Sequence, residues 1–377
     1  MGLLLVNQAV RAMFYKNFIF IFFIILCIIY SYKFISLIKL RHKIIFTYDD
    51  VIIFITSTAV LFYSIFSLYI TGFYNFIFTL TLMSLFFIFL IGRTLNLQIY
   101  TIIINVILVV GFAESLMLVI NRSYMYESHV NYLLLSLTVG LFTCFTLLKI
   151  YFSDKILKKI FYLCLFFIGW LALFNMQSRT VFIIVALYSI LLPFFISSPK
   201  NKLKFIIYFA ITIFISIFIF YDEIINLYDH AVIYKRMFDL FYNFQDEPRF
   251  VTYGLYFNNF NNFFFTGYGT NGTALGIYKN AEEIYPHNFI LEFISEFGIL
   301  GFLFSFFFIF KSLYIIWVNK RKNFYILSIL TMYFYYLINF MKSFSIYDAY
   351  VLFFSVGLIF NRELINSIKT SIKEKNV

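Results

Sequence analysis

The chain has 377 residues, of which 63% are hydrophobic and only 12% are charged, and its formal net charge is +11. A soluble protein carries about a quarter charged residues, so a water-soluble fold, a disordered chain and a collagen-like chain are excluded. The positive charges lie in short clusters between apolar runs, which is typical of membrane orientation and argues against nucleic acid as a partner.

About eleven apolar runs approach the roughly 20 residues that a helix needs to cross a bilayer. The predicted spans are 17–35, 51–71, 73–91, 99–120, 131–148, 160–176, 179–196, 205–221, 289–310, 324–341 and 347–361. No alternating barrel pattern appears. The sequence therefore predicts an all-α polytopic transmembrane helix bundle. Since no repeat or linker divides it, we expect one integral membrane domain over residues 1–377, with a retained first helix.

Lysine and arginine orient this bundle. Segments 33–50, 92–98, 149–159, 200–204, 311–322 and 361–377 contain 20 of the 29 such residues and alternate with segments that are poor in them, so we expect them on the cytoplasmic side. The outer side then receives the long segment 222–288 as an inserted loop. Its content of asparagine and phenylalanine predicts amphipathic helices at the membrane interface rather than a separate soluble domain.

Three arginines on the outer side are candidates for binding an anion. Arg179 lies in Ser178-Arg179-Thr180 between two apolar runs. It could hold a lipid diphosphate by bidentate hydrogen bonds, or reach the lipid headgroups as an interfacial arginine. Arg236 and Arg249 lie in the otherwise acidic loop, where the alternative to anion binding is an exposed ion pair.

His287 and Asn288 directly precede a long apolar run, at the helix end where free N–H groups and the dipole favour anions. His287 could act as a base near neutral pH. Asn288, Glu292 and Glu296 follow at four-residue intervals and predict one polar helix face, which serves either function or assembly. Glu114, inside another apolar run, predicts a buried pair or a cavity wall.

Gly267-Tyr268-Gly269 predicts a tight turn that is either an ordinary loop or a close backbone approach to a ligand. The sequence has no glycine-rich phosphate loop, no Asp-x-Asp, no metal-ligand spacing of histidine and cysteine, and no Gly-x-Ser-x-Gly. Metal-dependent chemistry thus has no visible ligand set, and we expect neither a metal nor another cofactor.

The order of these features, over roughly residues 170–305, resembles the O-antigen ligase/O-antigen polymerase (Wzy/WaaL-type) family of bacterial surface-polysaccharide enzymes. The most specific part is the pattern His-Asn-x-x-Leu-Glu followed by Glu-x-Gly-x-x-Gly, which begins at His287 and ends at Gly301. The resemblance implies a GT-C-like membrane glycosyltransferase at the outer face of the bacterial inner membrane, using a glycan carried on undecaprenyl diphosphate.

By this resemblance the expected catalytic residues are His287, Arg249 and Arg179. The two arginines would bind the diphosphate of the donor, and His287 would activate or orient the acceptor hydroxyl. The expected substrate-binding residues are Arg236, Asn288, Glu292, Gly267 and Gly269. Arg236 has no secure counterpart in the family pattern, which leaves its role open.

Three activities compete, in order from the leading interpretation to the least favoured one. The first is a polymerase that joins lipid-linked repeat units of an O-antigen or capsule. The second is a ligase that transfers the finished glycan to lipid A core, and the third is a flippase for lipid-linked oligosaccharides. A flippase should show two related halves, and the sequence shows no repeat. For the enzymes we expect the lipid-linked glycan donor, a lipid-linked or lipid A core acceptor and the bilayer as partners. A flippase and a chain-length regulator would be further partners.

Overall fold

The computed structural model describes residues 48–71, 76–120, 132–176, 178–196, 248–272, 286–318 and 323–375. Within these ranges every regular element is helical, which confirms the predicted all-α class. Two predicted spans, 17–35 and 205–221, lie outside the described residues, and so does Arg236.

The first six helices follow the predicted spans closely. They are α1 (Tyr48–Thr71), α2 (Phe76–Thr94), α3 (Leu97–Ile120), α4 (Tyr132–Phe152), α5 (Ile156–Asn175) and α6 (Arg179–Ile196). The later elements are α7 (Pro248–Asn258), α8 (Phe260–Phe263), α9 (Phe289–Val318), α10 (Phe324–Phe340), a 3₁₀ helix (Ile346–Asp348), α11 (Tyr350–Phe360) and α12 (Arg362–Lys375). In the described chain, α3, α4, α5 and α9 are long and apolar enough to cross a membrane, and α11 with the bent-off start of α12 could make a fifth span. The protein is thus a multi-pass helical bundle.

Glycines bring α2 and α11 into backbone contact. A methyl group at Gly92 would overlap the Phe354 carbonyl oxygen, and Gly357 is equally tight against α2. Small residues permit this close approach between membrane helices. Asn361, at the end of α11, adds hydrogen bonds from Nδ2 to the carbonyl oxygens of Gly92 (3.1 Å) and Leu95 (2.7 Å). The ends of these two helices are therefore fixed to each other.

Hydroxyl groups join helix α10 to three neighbouring helices. The pairs are Tyr100–Ser328 to α3 (2.8 Å), Tyr188–Thr331 to α6 (2.6 Å) and Tyr335 to the Leu137 carbonyl of α4 (3.0 Å). Such bonds contribute modestly each within a membrane, of order 1 kcal/mol. Together they fix the position of α10, whose last residues hold the candidate site.

The bundle has one end rich in cations. Arg93 lies in the last turn of α2, Arg362 directly follows Asn361, and Lys149 lies over the ring of Phe324 at 4.3 Å. We call this the basic end and the opposite one the far end. Helix α10 begins at the basic end with Phe324, so its last turn and the connection to α11 lie towards the far end.

Helix α9 is folded back on itself at Gly298, whose φ of 58° and ψ of −137° interrupt the helix. The ring centroids of Phe293 and Phe304 lie 5.2 Å apart, and those of Phe289 and Phe308 lie 6.4 Å apart. In a straight helix the same pairs would be separated by about 16 and 28 Å. The predicted single span 289–310 is therefore wrong. A hydropathy pattern does not register a turn made of apolar residues, and only glycine adopts this φ without strain.

The hairpin has a short arm, residues 289–297, and a long arm, residues 299–318. The long arm extends for about 30 Å, which equals the thickness of a bilayer core. The ring of Phe289 contacts Phe308 and also Phe353 of α11, each at 6.4 Å. The short arm therefore begins beside the middle of the long arm, and His287 and Asn288 lie about halfway along the bundle.

Candidate functional site

Asn288 caps the short arm and ties it to α10. Its Oδ1 accepts hydrogen bonds from the backbone N–H groups of Ile290 and Leu291, both at 3.1 Å. This is the usual N-cap arrangement. Its Nδ2 donates to the carbonyl oxygen of Met341 at 3.2 Å. Asn288 thus has a clear structural role, and its predicted contact with substrate stays a prediction.

His287 precedes this cap in an unusual conformation. Its φ is 52°, a left-handed value that is uncommon for a residue with a side chain and that recurs at functional sites. The residue is half-buried, and its Nδ1 is shielded from solvent. The imidazole therefore lies at the positive end of a helix dipole inside the bundle, where an anion is favoured.

Glu292, one turn further along the short arm, is 1% exposed. Its carboxylate accepts hydrogen bonds from the Ser345 hydroxyl and from the backbone N–H of Ile346 at 2.8 Å. It thereby binds the first N–H group of the 3₁₀ helix Ile346–Asp348 together with Ser345, the N-cap of that helix. The structure gives Glu292 a role in holding the α10–α11 connection, and substrate binding by this residue stays a prediction.

Glu296 completes the polar face through Tyr347. The Tyr347 hydroxyl donates to Oε2 of Glu296 and accepts a hydrogen bond from the backbone N–H of Asn271 at 3.0 Å. Burial, and then the neighbouring Glu296 carboxylate, raise the pKa of Tyr347 well above its ordinary value, so the hydroxyl keeps its proton. The predicted polar face is confirmed, since Asn288, Glu292 and Glu296 all contact residues 341–347.

The glycine turn packs into the break of α9. Gly267 and Gly269 have φ values of 71° and 84°. The N–H of Tyr268 donates to the Ser295 carbonyl at 2.8 Å, and that of Gly269 donates to the Glu296 carbonyl at 2.9 Å. These two N–H groups satisfy acceptors that the helix break exposes. A side chain at Gly267 would overlap the Glu296 carbonyl. The tight turn is confirmed, and its contact with substrate stays a prediction.

Arg179 is the first residue of α6 and is half-buried. Two residues later, Val181 and the Tyr335 hydroxyl both lie against Gly140, where a methyl group would meet each of them. The start of α6 therefore lies beside the last two turns of α10. Met341 directly follows α10, and its carbonyl oxygen accepts a hydrogen bond from Asn288. The structure therefore places Arg179 and His287 in the same region of the bundle.

Arg249 is the second residue of α7. Further along this helix Tyr256 forms a small buried cluster with Phe263 and with Ile294 of the short arm, and the rings of Tyr256 and Phe263 lie 6.1 Å apart. Helix α7 is thus attached to the same hairpin that carries His287. Arg249 therefore lies in the first turn of a helix, within the segment predicted to form amphipathic helices, and its contact with a diphosphate stays a prediction.

Sequence reasoning missed Ser345, Tyr347 and the turn at Gly298. Ser345-Ile346-Tyr347-Asp348 is a polar interruption before the last apolar run, which could have been noticed as a capping segment. Its partners Glu292 and Glu296 lie more than 50 residues earlier, so no local pattern connects them.

Glu114 is buried as predicted, with 7% of its surface exposed. Neither of its carboxylate oxygens makes a hydrogen bond, so a buried pair through this residue is not seen among the described residues. Among the described residues, no group of three or more histidine, cysteine, aspartate or glutamate side chains is placed to hold a metal ion.

One family model matches the part of the chain that contains most of these features. Residues 164–306 match a family model described as O-antigen ligase. The matched range includes Arg179, α7, the glycine turn and the hairpin as far as the start of its long arm. No curated protein and no solved structure matches the chain. The match supports an enzyme of the O-antigen ligase or polymerase type. Residues 164–306 of this multi-pass membrane protein are therefore similar to the O-antigen ligase family, in agreement with the resemblance seen in the sequence.

Proposed function

We propose that the protein is a membrane glycosyltransferase that polymerises undecaprenyl-diphosphate-linked repeat units of a bacterial surface polysaccharide. The observation that carries this proposal is the position of the short arm. Its N-terminal end bears His287 and Asn288 midway along the bundle. The last turns of α10 lie beside this end and also beside the start of α6, which bears Arg179. Helices that end inside a membrane direct their positive N-terminal ends at anionic groups of a substrate. A diphosphate on a long lipid tail is such a group.

The reaction is a direct displacement at the anomeric carbon of the donor sugar. The acceptor hydroxyl oxygen attacks this carbon, the bond to the diphosphate oxygen breaks, and the diphosphate leaves with the electron pair. Configuration is inverted. Arg179 and Arg249 bind the leaving diphosphate through charge-assisted hydrogen bonds. His287 accepts the proton of the acceptor hydroxyl. Because guanidinium groups offset the developing charge, the reaction needs no metal ion.

The active site faces the periplasm in this proposal. The basic end of the bundle carries Arg93, Lys149 and Arg362, and clustered cations remain in the cytoplasm during insertion. The far end, with the turn at Gly298, then faces outwards across the bacterial inner membrane. The donor and the growing acceptor are both lipid-linked. We expect a flippase to supply the donor and a chain-length regulator to limit the product.

A ligase is the second candidate, and the description of the matched family model favours it. The donor chemistry and the proposed residues are the same in both enzymes. They differ in the acceptor, which is a lipid-linked glycan for the polymerase and lipid A core for the ligase.

The test is the banding of surface polysaccharide on gels from a gene-deletion strain. The strain is complemented with wild type, Arg179→Ala, His287→Ala or Arg362→Ala at matched membrane levels. Arg362 is exposed at the basic end and serves as the arginine control. Core bearing one repeat unit, restored to a ladder by wild type and Arg362→Ala only, supports the polymerase. Bare core with polymer left on the lipid carrier makes the protein a ligase. An unaltered ladder in the deletion strain contradicts both.

A further inference from the structure

The short arm that carries His287 is held by a row of side-chain hydrogen bonds to one segment. Asn288 bonds the Met341 carbonyl, Glu292 bonds Ser345 and the Ile346 N–H, and Glu296 bonds Tyr347. One such contact occurs on each turn, and all lie on the helix face that turns towards residues 341–347. The orientation of the short arm therefore depends on this segment.

Among the residues that bind the short arm, Tyr347 differs from the others because its side chain connects three parts of the chain. It donates to Glu296 of the short arm and accepts from the N–H of Asn271 in the glycine turn, while its own backbone belongs to the 3₁₀ helix. Thr270, next to Asn271, is in turn bonded through its N–H to the Ser67 hydroxyl of α1 at 3.1 Å. The hydroxyl of Tyr347 thus fixes the turn end of the hairpin against the rest of the bundle.

A small rotation of the short arm about its Gly298 end produces a large displacement of His287 at its other end. Glu296 and His287 are separated by nine residues of a helix, or about 13 Å. Gly298 is two residues further away, so a tilt of the short arm by roughly 10° about Gly298 would displace His287 by about 3 Å. A misplacement of about 1 Å can lower a reaction rate roughly 100-fold.

We propose that Tyr347 is a positioning residue, which acts through Glu296 to orient the short arm and so places His287 for the transfer reaction. This inference rests on the proposed function for its catalytic consequence only. The orientation of the short arm can be measured without any assay of glycosyl transfer, so the two proposals can fail separately.

The variant is Tyr347→Phe, which keeps the ring that packs edge-on against Phe78 at 4.9 Å and removes the hydroxyl. Tyr336→Phe is the matched control. Tyr336 is also fully buried, but its hydroxyl makes no direct hydrogen bond. Glu296→Gln keeps an oxygen acceptor and should preserve the hydrogen bond from the Tyr347 hydroxyl. Glu296→Leu removes the acceptor and should abolish this hydrogen bond.

The first measurement is the distance between spin labels at Leu291→Cys on the short arm and Ile338→Cys on α10, in the full chain after replacement of its three cysteines. We expect Tyr347→Phe and Glu296→Leu to broaden the distance distribution, and Tyr336→Phe and Glu296→Gln to leave it as in the wild type. An unchanged distribution in Tyr347→Phe overturns the proposal whatever the activity.

The second measurement is steady-state glycosyl transfer in nanodiscs, with the lipid-linked repeat unit extracted from the deletion strain as donor. We expect Tyr347→Phe to lower kcat roughly 10- to 100-fold with KM for the donor within about twofold of the wild type, because the arginines are unchanged. Loss of folded protein alone would lower kcat and the melting temperature together. If Tyr347→Phe keeps the wild-type kcat, its catalytic role is wrong. If the wild type itself transfers no sugar, the proposed function fails while the spin-label result still decides the positioning.

Discussion

The side-chain amide of Asn288 donates a hydrogen bond to the carbonyl oxygen of Met341 at 3.2 Å. This contact joins the residue after His287 to the residue after α10, although 53 positions separate them in sequence. The neighbouring N-cap bonds use the other end of the same amide. One side chain therefore both starts the short arm and fixes its depth within the bundle.

We expect Asn288→Asp and Asn288→Ala to separate these two roles. Aspartate keeps an N-cap oxygen but cannot donate to Met341, whereas alanine loses both contacts. The Ala variant should lose about 1 kcal/mol through the cap alone, and the Asp variant should keep the cap while placing an acceptor against the carbonyl. Transfer activity should fall in both, and the melting temperature should fall more in Ala. Equal activity in Asp and wild type would show that the bond to Met341 is dispensable.

Gly298→Ala should destabilise the protein. The left-handed φ of Gly298 costs a residue with a side chain about 1 kcal/mol or more, and an added methyl group would lie 2.5 Å from the Phe265 carbonyl oxygen. Gly254→Ala in α7 is the control, since no atom lies within 4 Å of the added methyl group. Alanine there should be neutral or stabilising. Thermal unfolding in nanodiscs, followed by circular dichroism, compares the two. A melting temperature that falls no further in Gly298→Ala than in the control contradicts the hairpin turn.

The hairpin itself predicts a specific crosslink. Cysteines introduced at Phe293 and Phe304, in a background without the native cysteines, should react together with a short bifunctional maleimide because the native rings lie 5.2 Å apart. The control pair is Leu303 and Tyr314, which has the same sequence separation within the long arm and a distance of about 16 Å along a straight helix. Crosslinking is read by mass spectrometry of the digested protein. Equal yields from both pairs would mean that α9 is straight.

Arg179→Lys should reveal whether the charge or the planar fork of Arg179 matters. Lysine keeps the charge but cannot bind a diphosphate in a bidentate manner. If Arg179 stabilises the leaving group, Arg179→Ala should lower kcat roughly 100-fold or more, and Arg179→Lys should recover only part of that loss. Full recovery by lysine would favour the alternative in which the residue only reaches the headgroups. Arg362→Ala is again the control at the basic end.

The helices and the line of polar residues could be predicted from the sequence because each depends on local periodicity. Apolar runs gave the extents of α1 to α6 to within a few residues, and the spacing of Asn288, Glu292 and Glu296 indicated a polar face that the structure confirms. The family resemblance drawn from His287 to Gly301 is confirmed as well.

The fold-back of α9 could not be predicted in the same way. Gly298 lies among Phe297, Ile299 and Leu300, so hydropathy stays high through the turn. The conformation depends on the glycine turn, whose N–H groups satisfy the Ser295 and Glu296 carbonyls from about 30 residues away. The partners of Glu292 and Glu296 are more distant still. Hydrogen bonds between residues so far apart in sequence cannot be predicted from the local pattern of a single sequence.

The attachment of the short arm to residues 341–347 has a consequence for the biogenesis of the protein. The range that matches the family model ends at residue 306, but the groups that bind the short arm are synthesised later, between α10 and α11. A helix of nine residues is also too short to be inserted as a span by itself. A chain released by a premature stop codon after α9 would contain every residue of the proposed catalytic set. It would lack residues 341–347, which hold the short arm in its orientation. Under the proposed function, the active centre is completed only when the C-terminal helices have entered the membrane.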